Sequence, residues 1–391
     1  MTTLMTTYGR APLAFVKGEG CYLVDSEGKR YLDAVAGVAV NALGHSHSGF
    51  VDAVQRQVAT LTHTSNLYRI PLQEQLADVL CAHAGMEQVF FCNSGAEAIE
   101  ASLKLARKIG HARGFKVPTI LVTEGAFHGR TLGALTATYS HKYQDGFTPL
   151  LDGFVRVPYN DVAAVEAAIA ATPELCAILV EPIQGEGGVR MPAPGYVKAL
   201  RDLCDRHDLL LMLDEIQTGN GRTGAWFACQ HEGVVPDIMA TAKGLGNGFP
   251  IGACLARGAA ANVFQPGHHG STFGGSPLAC AAGLAVYEAL EQEQLCTNAA
   301  RIGAYLLEGF RTRLGALEGV REIRGKGLML GIELTRDCGE LAGQARDAGL
   351  LINIASGNTI RLVPPLVLTQ SEAEFMLDVV CKLVQEFCHG R

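Results

Sequence analysis

The middle of this 391-residue chain repeats one pattern. A short, uninterrupted apolar run ends in a glycine-rich or polar stretch, and a segment with helical spacing comes next. The runs cover 88–92, 119–123, 176–181, 209–214, 237–241 and 251–256, and most of them do not alternate polar with apolar residues. This alternation of strand-like and helix-like segments is the pattern of a mainly parallel α/β sheet. Between the runs, 97–109 places Ile99, Leu103 and Ala106 on one helical face, and 194–207 reads as a second helix.

The flanks read differently. Residues 20–33 resemble a hairpin, with Tyr22-Leu23-Val24 and Arg30-Tyr31-Leu32 on either side of Asp25-Ser26-Glu27-Gly28. Short strands are expected at 327–334 and 350–363, the latter broken by the turn Ser356-Gly357-Asn358. A last amphipathic helix should start at the capping box Thr369-x-x-Glu372 and bury Phe375, Val379, Leu383 and Phe387. A chain of this length exceeds what one core usually serves. The expected division is a large domain, 49–283, and a small α+β domain built from both termini, 1–48 and 284–391.

Composition removes several classes of function. The chain is 48% hydrophobic, yet it has no stretch of about 18 apolar residues, so no membrane span is expected and the surplus points to a large core and a subunit interface. A net charge of −7 without a long basic run disfavours nucleic acid. The first seven residues lack the blocks of a signal peptide. Twelve cysteines without C-x-x-C, most of them in apolar contexts such as Cys92, Cys176, Cys254 and Cys280, read as buried thiols of a reducing cytoplasm. The pairs His45/His47 and His268/His269 lack matching cysteine or acidic ligands, so no metal is expected.

Ligands of an open parallel sheet bind beyond the carboxyl ends of its strands. The run 237–241 leads through Ala242 to Lys243 and the glycine stretch Gly244–Gly248, which places an ammonium beside flexible backbone. Asp214 ends another run 29 residues earlier, a spacing that suits one strand–helix–strand step. A buried lysine of lowered pKa is an amine for Schiff-base chemistry, and a carboxylate at a neighbouring strand end suits a pyridinium nitrogen. The pair suggests pyridoxal phosphate. Asn93-Ser94-Gly95-Ala96-Glu97 could bind a phosphate at a helix N-terminus, or Ser94-x-x-Glu97 could be only a capping box. The segment is not a P-loop. Phe127 could stack on a flat ring and Arg130 hold a carboxylate, or both could belong to an ordinary loop. Glu181 and Glu186 lie in a Gly/Pro loop that could equally be a bland acidic one, and Asp214 and Gln217 flank Glu215 and Ile216. The stretch His269–Pro277 is either a phosphate donor or a loop with an ST turn.

Taken in order, these segments resemble the class III, fold-type I pyridoxal-phosphate aminotransferases, and within them the acetylornithine aminotransferases. The likeness runs from Tyr31-Leu32-Asp33 through Ser65-Asn66-Leu67, Asn93–Glu97, Phe127–Thr131, Glu181–Gly188, Asp214–Gly219, Ala242–Gly244 and Gly270–Gly275 to Ile323-Arg324-Gly325 and Ile360–Pro365. The resemblance implies that Lys243 bonds the cofactor and moves a proton, while Asp214 keeps the pyridine nitrogen protonated. It implies further that Glu215, Ile216 and Gln217 line the cofactor, that Phe127 stacks on it, and that Ser94, Gly95 and Ala96 hold its phosphate. Thr272 would reach that phosphate from a neighbouring subunit, so a homodimer with shared sites is expected.

Substrate contacts implied for Arg130, Ser271 and Arg361 point to N2-acetylornithine and 2-oxoglutarate or glutamate, with Glu186 pairing with Arg361 when a terminal amine occupies the site. Glu181 would act behind these groups. Related donors (succinylornithine, succinyl-diaminopimelate, ornithine, 4-aminobutyrate) would use the same machinery, and an aminomutase of this fold is the more distant alternative. The chain departs from the usual pattern at Ile99, Asn220 and Asn247, and at Ser48 and Ser276.

Overall fold

A computed structural model describes residues 3–390; Met1, Thr2 and Arg391, the outermost residues of the expected small domain, lie outside the described residues. Near the amino end β1 (Phe15–Glu19), β2 (Tyr22–Asp25) and β3 (Arg30–Asp33) form an antiparallel meander. Asp25 closes the β2–β3 turn: its Oδ1 accepts the N–H groups of Glu27 and Lys29 at 2.9 Å each, and its Oδ2 accepts the Tyr31 hydroxyl at 2.8 Å. This is the hairpin expected from the sequence. β1 is an addition to it, and its mostly exposed side chains gave no apolar signature.

The large sheet is made of β4 (Gln88–Cys92), β5 (Thr119–Thr123), β6 (Phe154–Val157), β7 (Leu175–Val180), β8 (Leu210–Asp214), β9 (Ile238–Thr241) and β10 (Gly252–Ala256). Their order is β4-β10-β9-β8-β7-β5-β6, and every ladder is parallel except the two made by β10. β6 adds an edge strand to the six expected; it is only partly buried, and Arg156 interrupts its four-residue run.

Alternation along the strands sends side chains to opposite faces. Leu211, Leu213, Met239 and Leu255 enter one core, and Leu210, Met212, Ile238 and Cys254 enter the other. The helix Gly95–Ala112 seals the second face through Ile99, Leu103, Ala106 and Ile109. The helices Pro71–Ala84, Tyr196–His207 and Pro277–Gln292 supply Leu76, Leu200 and Val286 to the first. The mainly parallel α/β architecture is therefore the one the runs predict. The link from β8 to β9 differs from the expected crossover, because it holds only the short 3-10 helix Ala228–Glu232.

Toward the carboxyl end lie β11 (Val320–Lys326), β12 (Met329–Leu334), β13 (Leu350–Leu351), β14 (Asn353–Ala355) and β15 (Thr359–Leu362). Four of them form the sheet β11-β12-β15-β14, while β13 joins β3 in parallel and ties the two ends of the chain together. The stretch 350–363 thus serves two sheets rather than one hairpin. Buried Arg222 fastens the large sheet's side to this part by donating to the carbonyls of Leu328 (3.0 Å) and Pro364.

The last helix, Gln370–His389, starts at the expected capping box, with Glu372 N donating to Thr369 Oγ1 at 3.3 Å. Its buried stripe is Ala373, Met376, Val380, Leu383 and Phe387, and Phe375 is 40% exposed. The expected stripe stepped by four residues each time, and each such step drifts about 40° off one face of a helix with 3.6 residues per turn. Phe375, three steps from Phe387, ends up on the outside. Neighbouring substitutions should therefore diverge. Met376→Ala, at a fully buried position, should cost about 2–5 kcal/mol and lower the denaturation midpoint. Phe375→Ala should cost under about 1 kcal/mol in the same titration.

Candidate active site

The carboxyl ends of β4, β5, β7, β8 and β9 open on one edge of the large sheet, and β10, which runs the other way, begins there. Together they enclose a cavity of about 420 Å³. Because β10 is reversed, the residues before it, Phe249, Pro250 and Ile251, also line the cavity. They are not legible in the sequence, since the rule that ligands meet the carboxyl ends of strands points away from the start of β10.

One end of the cavity is the start of the helix Gly95–Ala112. Ser94 caps it, accepting the Glu97 N–H at 3.3 Å, and the Glu97 carboxylate accepts from Asn93 N. The two readings of this segment are compatible, because the cap uses the N–H of Glu97. The amides of Gly95 and Ala96 belong to a first turn that has no carbonyl to receive them, and both residues line the cavity. A Cβ on Gly95 would stand 2.8 Å from Ile216 Cδ1, so the close contact of these two segments needs glycine.

Asp214 ends β8 on the face covered by that helix. Its Oδ2 accepts from His128 Nδ1 at 2.7 Å and its Oδ1 accepts the Ile216 N–H at 3.1 Å, both in a buried setting. His128 had no assigned role in the sequence. Its partner lies across the sheet, and only its place beside Phe127 in the loop after β5 could have pointed to it. Glu181, at the end of β7, accepts the Phe127 N–H at 2.9 Å and the Gly185 N–H at 3.1 Å. Burial, reinforced by the Asp214 carboxylate, pushes its carboxyl up to about 7.

Phe127 lines the cavity, and the Arg130 guanidinium lies 5.7 Å from its ring centroid and 3.7 Å from that of Tyr143. Lys243 comes just after β9 with a left-handed φ of 46° and faces the cavity. Asn220 holds the backbone just before it, donating to Thr241 Oγ1 at 2.9 Å and to the Ala242 carbonyl at 3.1 Å, and accepts the Tyr287 hydroxyl at 3.0 Å. Enclosure in protein lowers the Lys243 ammonium from its ordinary value. The Arg361 guanidinium acts in the same direction, and the carboxylates of Glu186, Asp214 and Glu181 oppose it. On the cavity wall Glu186 accepts from Arg361 Nη1 at 2.6 Å, and Gln217 Oε1 lies 3.4 Å from the same nitrogen.

Ser94, Gly95, Ala96, Phe127, Arg130, Glu181, Glu186, Asp214, Ile216, Gln217 and Lys243 thus meet in one cavity. Four of the expected residues stand apart from the cavity lining: Arg361 lies buried behind Glu186 and Gln217, and Glu215, Ser271 and Thr272 lie elsewhere. The Glu215 carboxylate continues the strand alternation to the opposite face, where it accepts from Ala228 N at 3.0 Å and Cys229 N at 2.8 Å. Ser271 ties its loop to Asn93 Nδ2 at 3.1 Å, and Thr272 is exposed beside it. Of the sequence departures, Ile99 is a buried packing residue, and Asn247 takes a left-handed φ of 45° while accepting the Leu43 N–H at 2.8 Å.

Open first-turn amides for a phosphate, a buried carboxylate for a ring nitrogen, an aromatic face and a lysine of lowered basicity fit pyridoxal phosphate. The cofactor-free protein allows a simple check on Glu181. Folding holds its proton more tightly than the unfolded chain, where the carboxyl titrates near 4.5. Its contribution to stability is therefore complete below that value and lost as pH rises through about 7. The melting temperature of the wild type relative to Glu181→Gln should fall between pH about 5 and about 7.5; a difference that does not vary with pH would contradict this.

Comparison with known proteins agrees with the geometry. The family model Aminotransferase class-III matches residues 5–384. The acetylornithine aminotransferase of Nitrosomonas europaea is 53% identical over 391 residues, all of both chains. The crystal structure of the ornithine aminotransferase from Toxoplasma gondii superposes with a TM-score of 0.96 at 34% identity, covering 100% of this chain and 94% of that one. For the N-acetylornithine aminotransferase from Stenotrophomonas maltophilia the TM-score is 0.84 at 36% identity, over 98% of each chain. With a match of that length on a fold shared from end to end, the chain belongs to the class III aminotransferases, a family dependent on pyridoxal phosphate.

Proposed function

We propose that this enzyme transfers the δ-amino group of N2-acetylornithine to 2-oxoglutarate, giving N-acetylglutamate 5-semialdehyde and glutamate, within arginine biosynthesis in the cytoplasm. The observation that carries the reading is the ion pair that ties Glu186, which lines the cavity with Lys243, to Arg361 buried behind it. A site that must accept an amine-bearing chain in one half-reaction and a second carboxylate in the other needs a cation that can be covered and uncovered. Relatives carrying the acetylornithine aminotransferase name at 45–53% identity support the same donor.

Pyridoxal phosphate, when bound, supplies an electron-accepting ring that carries the amino group from donor to acceptor. The chain does the rest. The Gly95 and Ala96 amides, with Ser94, anchor the phosphate at the helix start. Asp214, held in place by His128, keeps a proton on the ring nitrogen. Phe127 covers one face of the ring, and Gln217 meets its hydroxyl. With the cofactor bound, Lys243 would be the group that takes the proton from the substrate carbon and returns it, a role its lowered basicity favours. Arg361 receives the α-carboxylate of glutamate or 2-oxoglutarate once Glu186 turns aside, and Arg130 at the mouth meets the carboxylate of the donor.

A homodimer with shared sites is part of the proposal. Thr272 is exposed, and Asn66 binds its loop by donating to Ser271 O at 3.1 Å and Gly274 O at 3.0 Å. The same two segments expose Leu67, Tyr68 and Phe273 at 85%, 70% and 63%, an apolar surface suited to a second copy that would receive Thr272 at its phosphate site. The division into 49–283 and a small domain of 1–48 with 284–391 belongs to the same reading. It is supported by the large sheet's falling wholly within the first range and the four-stranded sheets' falling in the second. Among the described residues no helix is long and apolar enough to cross a membrane.

A donor panel under saturating 2-oxoglutarate tests the substrate. kcat/KM for N2-acetylornithine should exceed that for 4-aminobutyrate by about 100-fold or more, with ornithine and succinylornithine as intermediate arms. Negligible acetylornithine turnover beside brisk 4-aminobutyrate turnover would overturn it.

A further inference from the structure

Arg361 is 2% exposed, and its guanidinium is held on two edges by two different kinds of acceptor. Along one edge Nε and Nη2 both donate to Asn353 Oδ1, at 3.0 and 2.6 Å. At the other, Nη1 donates to the Glu186 carboxylate at 2.6 Å. Asn353 and Arg361 are directly opposed in the β14–β15 ladder, so the first acceptor is fixed by the sheet. Glu186, by contrast, sits between Gly185 and Gly187-Gly188 with 31% of its side chain exposed. One acceptor is neutral and fixed, and the other is charged and placed to move.

We propose that Asn353 is the positioning residue that keeps Arg361 aimed at the cavity with its charge uncancelled when Glu186 turns away, and so sets the affinity for the dicarboxylate substrate. This rests on the role given to Arg361 above. A guanidinium left alone in a buried site would swing toward whatever acceptor it can find, and a carboxylate at position 353 would hold it while cancelling its charge. The amide oxygen does the first task without the second. Its two bonds also leave Nη1, the nitrogen nearest Gln217 and the cavity, as the group that changes partners.

Asn353→Asp and Asn353→Ala, with Arg361→Gln as a reference, separate the possibilities in the holoenzyme. The readouts are the dissociation constant of glutarate (an unreactive dicarboxylate) by calorimetry and KM for 2-oxoglutarate and for N2-acetylornithine. Asn353→Asp should weaken glutarate and raise KM for 2-oxoglutarate by about tenfold or more, with KM for the donor within about twofold. Asn353→Ala should move the same two values by a few-fold, which keeps the test open if the aspartate variant does not fold. Glutarate binding unchanged in both variants, or an equal rise in KM for both substrates, would overturn the proposal. Glutarate binding unchanged in Arg361→Gln would instead remove the reading of Arg361 on which it rests.

Discussion

A lysine ammonium enclosed in protein loses most of its water, at a cost of several kcal/mol, unless other charges replace it. The arrangement around Lys243 obeys that constraint. Glu186, Asp214 and Glu181 supply negative charge, yet enclosure outweighs them and Arg361 adds to its effect, so the ammonium titrates below its ordinary value. The acids are themselves constrained. Asp214 is held by a hydrogen bond to His128 Nδ1 at 2.7 Å, and Glu181 gives up its charge as pH falls through about 7. No single pair sets the balance, so a change at any one of these groups is felt at Lys243.

The parallel sheet makes this concentration possible. Strands that run the same way deliver their carboxyl ends to one edge, and central strands buried on both faces leave that edge as the place where polar side chains can stand. β7, β8 and β9 are buried along their whole length, and Glu181, Asp214 and Lys243 stand at or just beyond their ends. The carboxyl-terminal sheet then brings Arg361 against Glu186 from the other side, and buried Arg222 and the β3–β13 ladder hold the two parts of the chain together.

The same physics decided which parts of the fold and site were legible in the sequence. Strands buried on both faces read as continuous apolar runs, and the partly buried edge strand β4 carries such a run in Val89-Phe90-Phe91, so six of the seven large-sheet strands were visible, and with them the positions of Lys243 and Asp214. β1 was not, because its side chains are mostly exposed, and the partly buried edge strand β6 was not, because Arg156 interrupts its four-residue run. Local alternation placed Asp214 in the cavity, but nothing in the sequence said that Glu215 would be consumed by the amides of Ala228 and Cys229. His128, Asn220 and Asn353 were unassigned for one reason: each acts through a partner far away in the chain or across a ladder, at Asp214, Ala242 and Arg361. The phase of the last helix was misread because steps of four residues drift, and Phe375 is the residue that shows it.

The central claim is that Lys243 is the amine to which the cofactor attaches. Borohydride reduction of the holoenzyme fixes such an attachment, and peptide mapping by mass spectrometry then locates it. One pyridoxyl group per chain is expected, on the peptide containing Lys243, and none after Lys243→Ala. A modification at another lysine, or a full yield in the variant, would contradict it.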